Sequence, residues 1–319
     1  MVNLPSPAIA ARRVGAVPQA VRAELQRALV DPRLPADTFT RSSGDPGLFG
    51  PGSVTWQIHG DLPSMLVGGM AALMLQALHP LTVAGVADHS AFRQDPLGRL
   101  RRTAGFVAVT TFAGTEAAGA AIAEVRRVHG YVHGTAPDGR HYDANDPELL
   151  TWVHAAEVLA FVRAYRCFGP RPLNRQAADR YVGEMQAVAL ALGAARVPAS
   201  TAELHDYFVE VRSQMQAGAQ ARTALAFLVN GAHRCPVAAS EPAELARGLL
   251  VQLALGLLPG WARSLYGVRP PLPAERTALR LVAGGLFAGL RWVLGPSPVV
   301  QVATERAGSG AAGPLAAVS

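Results

Sequence analysis

Leu66 to Ala87 carries no charged side chain, and this run constrains the fold of the chain more than any other feature. Its length alone would span a bilayer. Gln76, His79, Thr82 and above all Pro80 interrupt it. Proline lacks a backbone donor and clashes with the preceding helical turn. The run therefore reads as a helix buried on all sides and followed by a turn. Half of the 319 residues are hydrophobic, so a core large enough to bury it is available.

From Thr55 onward apolar residues recur at steps of three and four, and strand-like alternation is nearly absent. The periodicity predicts helices at 63–78, 97–112, 116–133, 147–166, 174–192, 200–216, 219–230, 241–257 and 274–293. Gly139 to Asp143, after Pro137-Asp138, reads as an extended turn rather than a sheet. The expected fold class is all-α, with one helical domain over residues 51–295. Residues 1–50 form a turn-rich extension with one helix-like piece around Pro18 to Leu29. The tail from 296, and particularly Gly308 to Ser319, is small, polar and glycine-rich and is expected to be disordered.

Charge and cysteine content exclude several functions. Only 16% of residues are charged, and the net charge of +6 comes from scattered arginines rather than a basic stripe, so nucleic acid is not an expected partner. All 29 positive side chains are arginine, which excludes a Schiff-base, P-loop or general-base lysine. The glycine-rich loop from Gly44 to Gly52 lacks GxGxxG spacing and follows no strand, so it is no nucleotide cradle. Cys167 and Cys235 lack CxxC spacing and fit a reducing compartment. Met1 to Ala10 does not read as a secretory signal. A cytoplasmic location is expected, with peripheral membrane association through the apolar segment 279–294.

Histidines and arginines supply the candidate chemistry. In a helix, Ile122, Val125, His129 and Val132 share one face, which places an imidazole inside an apolar stripe. A histidine there is either a hydrogen-bonded core residue or a ligand. His129 and His133, at i and i+4, have zinc-ligand spacing, but the intervening Gly-Tyr-Val offers no glutamate base as HExxH does. His154 lies on a second apolar stripe with Val158, Phe161 and Tyr165. His79 precedes a proline at a helix end, and Asp88, His89 and Ser90 open a polar turn. Arg99, Arg102, Thr103 and Phe106 share a face at the start of a buried helix, suited to an anionic group such as a propionate, or to bound dioxygen. One imidazole, apolar walls and nearby cations are what a haem pocket needs. A Cys235 thiolate is the other local route to haem iron.

Six motifs occur in order: Leu75-Gln-Ala-Leu-His79-Pro80, Gly85-Val-x-Asp88-His89-Ser90, Arg99-x-x-Arg102-Thr103, Arg126-x-x-His129, Gly139-x-x-Tyr142-x-Ala-x-Asp-Pro147 and Trp152-Val-His154. Together they resemble the family of rubber oxygenases, or latex-clearing proteins, and MpaB-type oxygenases, over roughly Gly50 to Leu294. The resemblance implies a globin-like helical core around haem b, with His129 as the iron ligand and Arg99 and Thr103 near the distal side. Arg126, His79, His89 and His154 are the further expected cofactor contacts. At Arg102 the rubber-oxygenase pattern has a lysine, and guanidinium is a poor ligand, so water, His79, His89 or nothing is expected in the sixth position. Asp88 is the stand-in for the missing glutamate base. The expected activity is a haem-dependent oxygenase using dioxygen on an apolar, terpenoid or lipid-like alkene. Its alternatives are a non-catalytic haem or lipid carrier of the same fold and a zinc-dependent hydrolase.

Overall fold

The structure, a computed structural model, describes residues 33–308 apart from 91–93 and 231–240. The described chain forms thirteen α-helices and one two-stranded hairpin. In order these are α1 (Val54–His59), α2 (Leu62–Gln76), α3 (Pro80–His89), α4 (Pro96–Phe112), α5 (Thr115–His129), β1 (His133–Thr135), β2 (His141–Asp143), α6 (Pro147–Phe168), α7 (Arg175–Leu192), α8 (Thr201–Val211), α9 (Ala219–Asn230), α10 (Glu241–Leu257), α11 (Gly260–Tyr266), α12 (Pro273–Leu294) and α13 (Pro298–Gly308). The piece around Pro18 to Leu29, Cys235 and residues 309–319 lie outside the described residues.

The uncharged run forms the centre of the core, as two helices rather than a helix and a turn. α2 ends at Gln76, and α3 leaves at 106° to it. Pro80 forces the preceding residue into extended backbone, and His79 adopts φ −81°, ψ 119°. A helix end inside a core strands carbonyls that need donors. Here Tyr266 Oη donates to Met74 O (2.7 Å), Trp152 Nε1 to Gln76 O (3.2 Å) and the Gln216 amide to Leu78 O (2.9 Å). His79 Nδ1 accepts from the Leu81 amide (3.3 Å), so His79 caps the start of α3.

α6 packs along α2, and Gly68 sets their separation. A Cβ at Gly68 would lie 2.7 Å from Phe161 Cδ1 and 3.1 Å from Ala164 Cβ, whereas nothing lies within 4 Å of the corresponding point on Gly69. Asp61, buried at the N-cap of α2, binds Arg291 of α12 through two hydrogen bonds of 2.7 and 2.9 Å, and the same guanidinium donates to Phe168 O at the end of α6.

Two further expectations are corrected. Residues 133–143 form an antiparallel hairpin, with Gly134 opposite Tyr142, rather than continuing the helix and then an extended turn. Gly130 caps α5 at His129. The β-branched and aromatic residues beyond it meet a Pro-Asp-Gly turn in which Gly139 takes φ +87°, a value that favours glycine. Residues 298–308, expected to be disordered, form α13. The Arg306 side chain buries itself against α4 and the N-terminal turns, donating to Asp45 O, Phe39 O and Phe112 O (3.0, 3.1 and 2.8 Å).

The two adjacent glycines give opposite expectations. Gly68→Ala overpacks the α2–α6 contact and lowers stability by about 1–3 kcal/mol, while Gly69→Ala gains up to about 1 kcal/mol of helix propensity. Chemical denaturation of both variants checks this. Equal effects would show that helix separation is not set at Gly68.

Candidate functional site

α3 and the hairpin meet at Tyr142. Its hydroxyl donates to Asp88 Oδ2 (2.7 Å) and lies 3.1 Å from His89 Nε2, which is also 3.2 Å from His133 O. A carbonyl only accepts, so His89 Nε2 is the donor to His133 O. Burial, and then the Asp88 carboxylate, push the Tyr142 phenol up to about 12. Next to this cluster Arg99 Nη1 donates to Ser90 Oγ. Burial, and secondarily Arg102, hold Arg99 below the usual guanidinium range, though it remains charged.

The other members of the arginine motif point elsewhere. Arg102 is exposed and pairs with Asp95 at 3.3 Å. Thr103 is also exposed, and its hydroxyl returns to Arg99 O (3.2 Å). Arg126 donates to Ala191 O (3.2 Å), fastening the end of α5 to the end of α7. His79 is buried against Trp152.

His129 occupies the last turn of α5, below Ile122 and Val125 on the same face, while Val132 lies beyond the helix. Its Nδ1 is buried and has no hydrogen-bond partner. Burial lowers its pKa more than the Asp143 charge and the Ala144 backbone raise it, so the imidazole is held neutral with a lone pair available. His133 sits on β1 with its side chain exposed, so the two histidines are not one helical pair. Among the described residues no group of three or more His, Cys, Asp or Glu is placed to hold a metal ion.

Sequence reasoning missed an interior polar cluster. His59, at the end of α1, is buried, with Nδ1 2.7 Å from Thr111 Oγ1 on α4 and Nε2 2.8 Å from Tyr181 Oη on α7. Its ring meets Phe161 edge to face. These partners are distant in sequence, so no local signal reveals them. Glu157 was the legible omission. It stands three residues after His154 on α6, and burial alone pushes its carboxyl up to about 7. A surface depression of about 210 Å³ between Arg196, Tyr207 and Glu210 contains none of these residues.

Burial holds His59 at about 3 and His154 at about 4. His79 is also at about 4, through burial, then Arg140, with Asp146 opposing. Unfolded, each imidazole takes up a proton below about 6.5; folded, none does until about 4. Their contribution to stability is therefore complete above 6.5 and lost as pH falls. His129 adds in the same direction. Glu157 acts oppositely, since its raised carboxyl stabilises below 4.5 and loses that contribution as pH rises towards 7. The imidazoles outnumber it, so Tm should fall by roughly 5–10 °C between pH 7 and 4.5. His59→Gln, which keeps a polar side chain without a basic nitrogen, should flatten that acid limb. An unchanged slope in thermal melts would remove His59 from the account.

Comparison with curated proteins and with solved structures finds no match. Comparison with protein families finds one whose described domain, the catalytic domain of the ER-bound oxygenase mpaB/B' and of rubber oxygenase, matches residues 56–294. That region runs from α1 to the end of α12 and includes every candidate side chain described above. The protein belongs to the mpaB and rubber oxygenase family, and its helical body is an oxygenase catalytic domain.

Proposed function

We propose that this enzyme is a haem b-dependent oxygenase in which His129 is the axial ligand, acting with dioxygen on an apolar, alkene-containing terpenoid or lipid-like substrate. The observation that carries the reading is the neutral His129 imidazole, whose buried Nδ1 has no partner at the end of an apolar helix face. A ring nitrogen stranded in this way costs free energy that a ligand or hydrogen-bond partner would recover. Bound haem supplies the redox chemistry with dioxygen.

The chain's own residues hold and orient. Arg99 is desolvated and steered by Ser90, so its remaining donors suit a propionate or another anionic group. Arg126 is a second cation beside His129 on the last turn of α5. Thr103, one turn beyond Arg99, offers a hydroxyl once freed from its own helix. His89, with Nε2–H committed to the hairpin, presents Nδ1 as the remaining imidazole donor atom of the cluster. Asp88 is engaged by Tyr142, which makes it a positioning group for the hairpin as it stands.

That engagement, with Arg102 turned to Asp95, favours one second reading, a haem or lipid carrier of the same fold without a distal base. Oxygen consumption with unsaturated terpenoid and lipid substrates separates the two.

Membrane association is part of the same proposal. α12 is long and apolar enough to cross a membrane, yet Arg291 ties it to Asp61 on the protein body. Leu281, Val282, Leu286 and Trp292 remain exposed along it, and Arg276 and Arg280 are exposed on its N-terminal half. An apolar face with arginines beside it suits an anionic bilayer surface, with the helix lying in the interface rather than across it.

Two measurements test these readings. Protein produced with adequate haem should show a Soret band, and His129→Ala should lower haem content at least about tenfold, the scale on which even indirect partners of a metal ligand act. No band in the parent protein, or an undiminished one in the variant, would sink the ligand assignment. Cosedimentation with anionic phospholipid vesicles should fall by about tenfold in Leu281→Asp. Equal sedimentation would place the membrane contact elsewhere or nowhere.

A further inference from the structure

The segment that ends in α12 carries more positive charge than its surroundings neutralise. Residues 260–294 hold five arginines and a single acidic side chain, Glu275. Glu275 is taken by Arg269 (2.7 and 2.9 Å), and Arg291 is taken by Asp61. Arg280 is exposed, and its Nη2 donates to Cys167 Sγ of α6 over 3.7 Å. A sulfur is a weak acceptor for a charged donor. Arg163 stands four residues before Cys167 on the same side of α6, so guanidiniums from two helices flank one thiol. Among the described residues neither arginine forms an ion pair. Burial holds Arg163 below the usual guanidinium range, with Cys167 opposing and Arg263 of α11 adding to the effect, yet it stays charged. Phe168 and Phe287 meet edge to face at 5.6 Å, so the two arginines border a packed seam between α6 and α12. Beside that seam α12 turns its apolar face outward, with Leu281, next to Arg280, 72% exposed.

We propose that Arg163 and Arg280 clasp the phosphate of an anionic phospholipid whose acyl chains lie against the exposed apolar face of α12. The inference rests on the membrane reading above and narrows it from any anionic surface to a headgroup with a terminal phosphate. Guanidinium forks match phosphate oxygens two at a time. A terminal phosphate presents about −1.5 to −2 charges and three acceptor oxygens, more than the single charge of a diester. Two cations that flank one thiol without a counter-ion repel each other, and a phosphate between them removes that repulsion. A second copy of the chain suits this face poorly, because a two-fold contact along α12 would bring the arginine-bearing faces of both copies together.

The test is cosedimentation of the full-length protein with phosphatidylcholine vesicles containing either phosphatidate or phosphatidylglycerol, in fractions adjusted to equal zeta potential. Phosphatidate vesicles should bind about tenfold tighter, the scale of one charge-assisted hydrogen bond. Arg280→Gln should bring the two vesicles to equal affinity. Arg280→Lys, which keeps the charge but not the fork, should still bind both and lose most of the preference. Because Arg280 is exposed, both variants should melt with the parent, so a lost preference is not a lost fold. Excess inorganic phosphate at constant ionic strength should not release the protein from phosphatidate vesicles, since it has no chains to seat on α12. Release would assign the arginines to a free anion and overturn the proposal. Equal binding of the two vesicles by the parent, or an undiminished preference in Arg280→Gln, overturns it as well and leaves the membrane reading standing. Binding to neither vesicle sinks both. A dimer in solution that Leu281→Asp converts to monomer, with no vesicle bound, would give the face to a second copy instead.

Discussion

The rest of the structure depends on the close approach of α2 and α6. At Gly68 the absence of a side chain lets the Phe161 ring edge and the Ala164 methyl approach the α2 backbone, and every later placement inherits that spacing. Because α2 then lies inside the core, its end at Gln76 cannot be solvated, and Tyr266, Trp152 and Gln216 provide the missing donors from three different segments. The break at Pro80 thus becomes a satisfied corner. α3 can leave at a steep angle and present Asp88, His89 and Ser90 to the hairpin and to Arg99.

The same packing determines the electrostatics. A fold held by apolar helix contacts has few places to hydrate an ionised group, so imidazoles placed inside it are kept neutral and a carboxyl is kept close to protonation. His59 is satisfied by Thr111 and Tyr181. His129 Nδ1 is buried and finds no hydrogen-bond partner within the described chain. Arg102 and Thr103 share a helical face with Arg99, yet their side chains bind Asp95 and the Arg99 carbonyl while Arg99 binds Ser90, so one motif divides among three partners.

Much of the fold was legible in the sequence because helix periodicity is local. The spacing of apolar residues placed nine helices within a few residues of where they occur, and proline and glycine marked most of their ends. The short elements were harder. α1 has too few residues to show a period and is held by Ser53 and by Glu184 of α7, whose carboxylate accepts from the Val54 and Thr55 amides. The hairpin was obscured because a histidine-rich stretch fits a helical stripe on paper, and only the reverse turn at Gly139 shows that the chain doubles back. α13 looked like a tail because its sequence is bland, and its one informative residue, Arg306, acts on carbonyls far away in the chain.

From sequence alone came the all-α class, the family resemblance and His129 as the residue of interest, since each rests on residue types at short spacings. Tertiary structure decided which histidines have partners, that His133 leaves the helix, that Arg102 turns to Asp95, and that Glu157 and His59 lie within the helical body. The reason is physical: burial and partnership are properties of surfaces brought together from distant parts of the chain. No spacing along one segment records them.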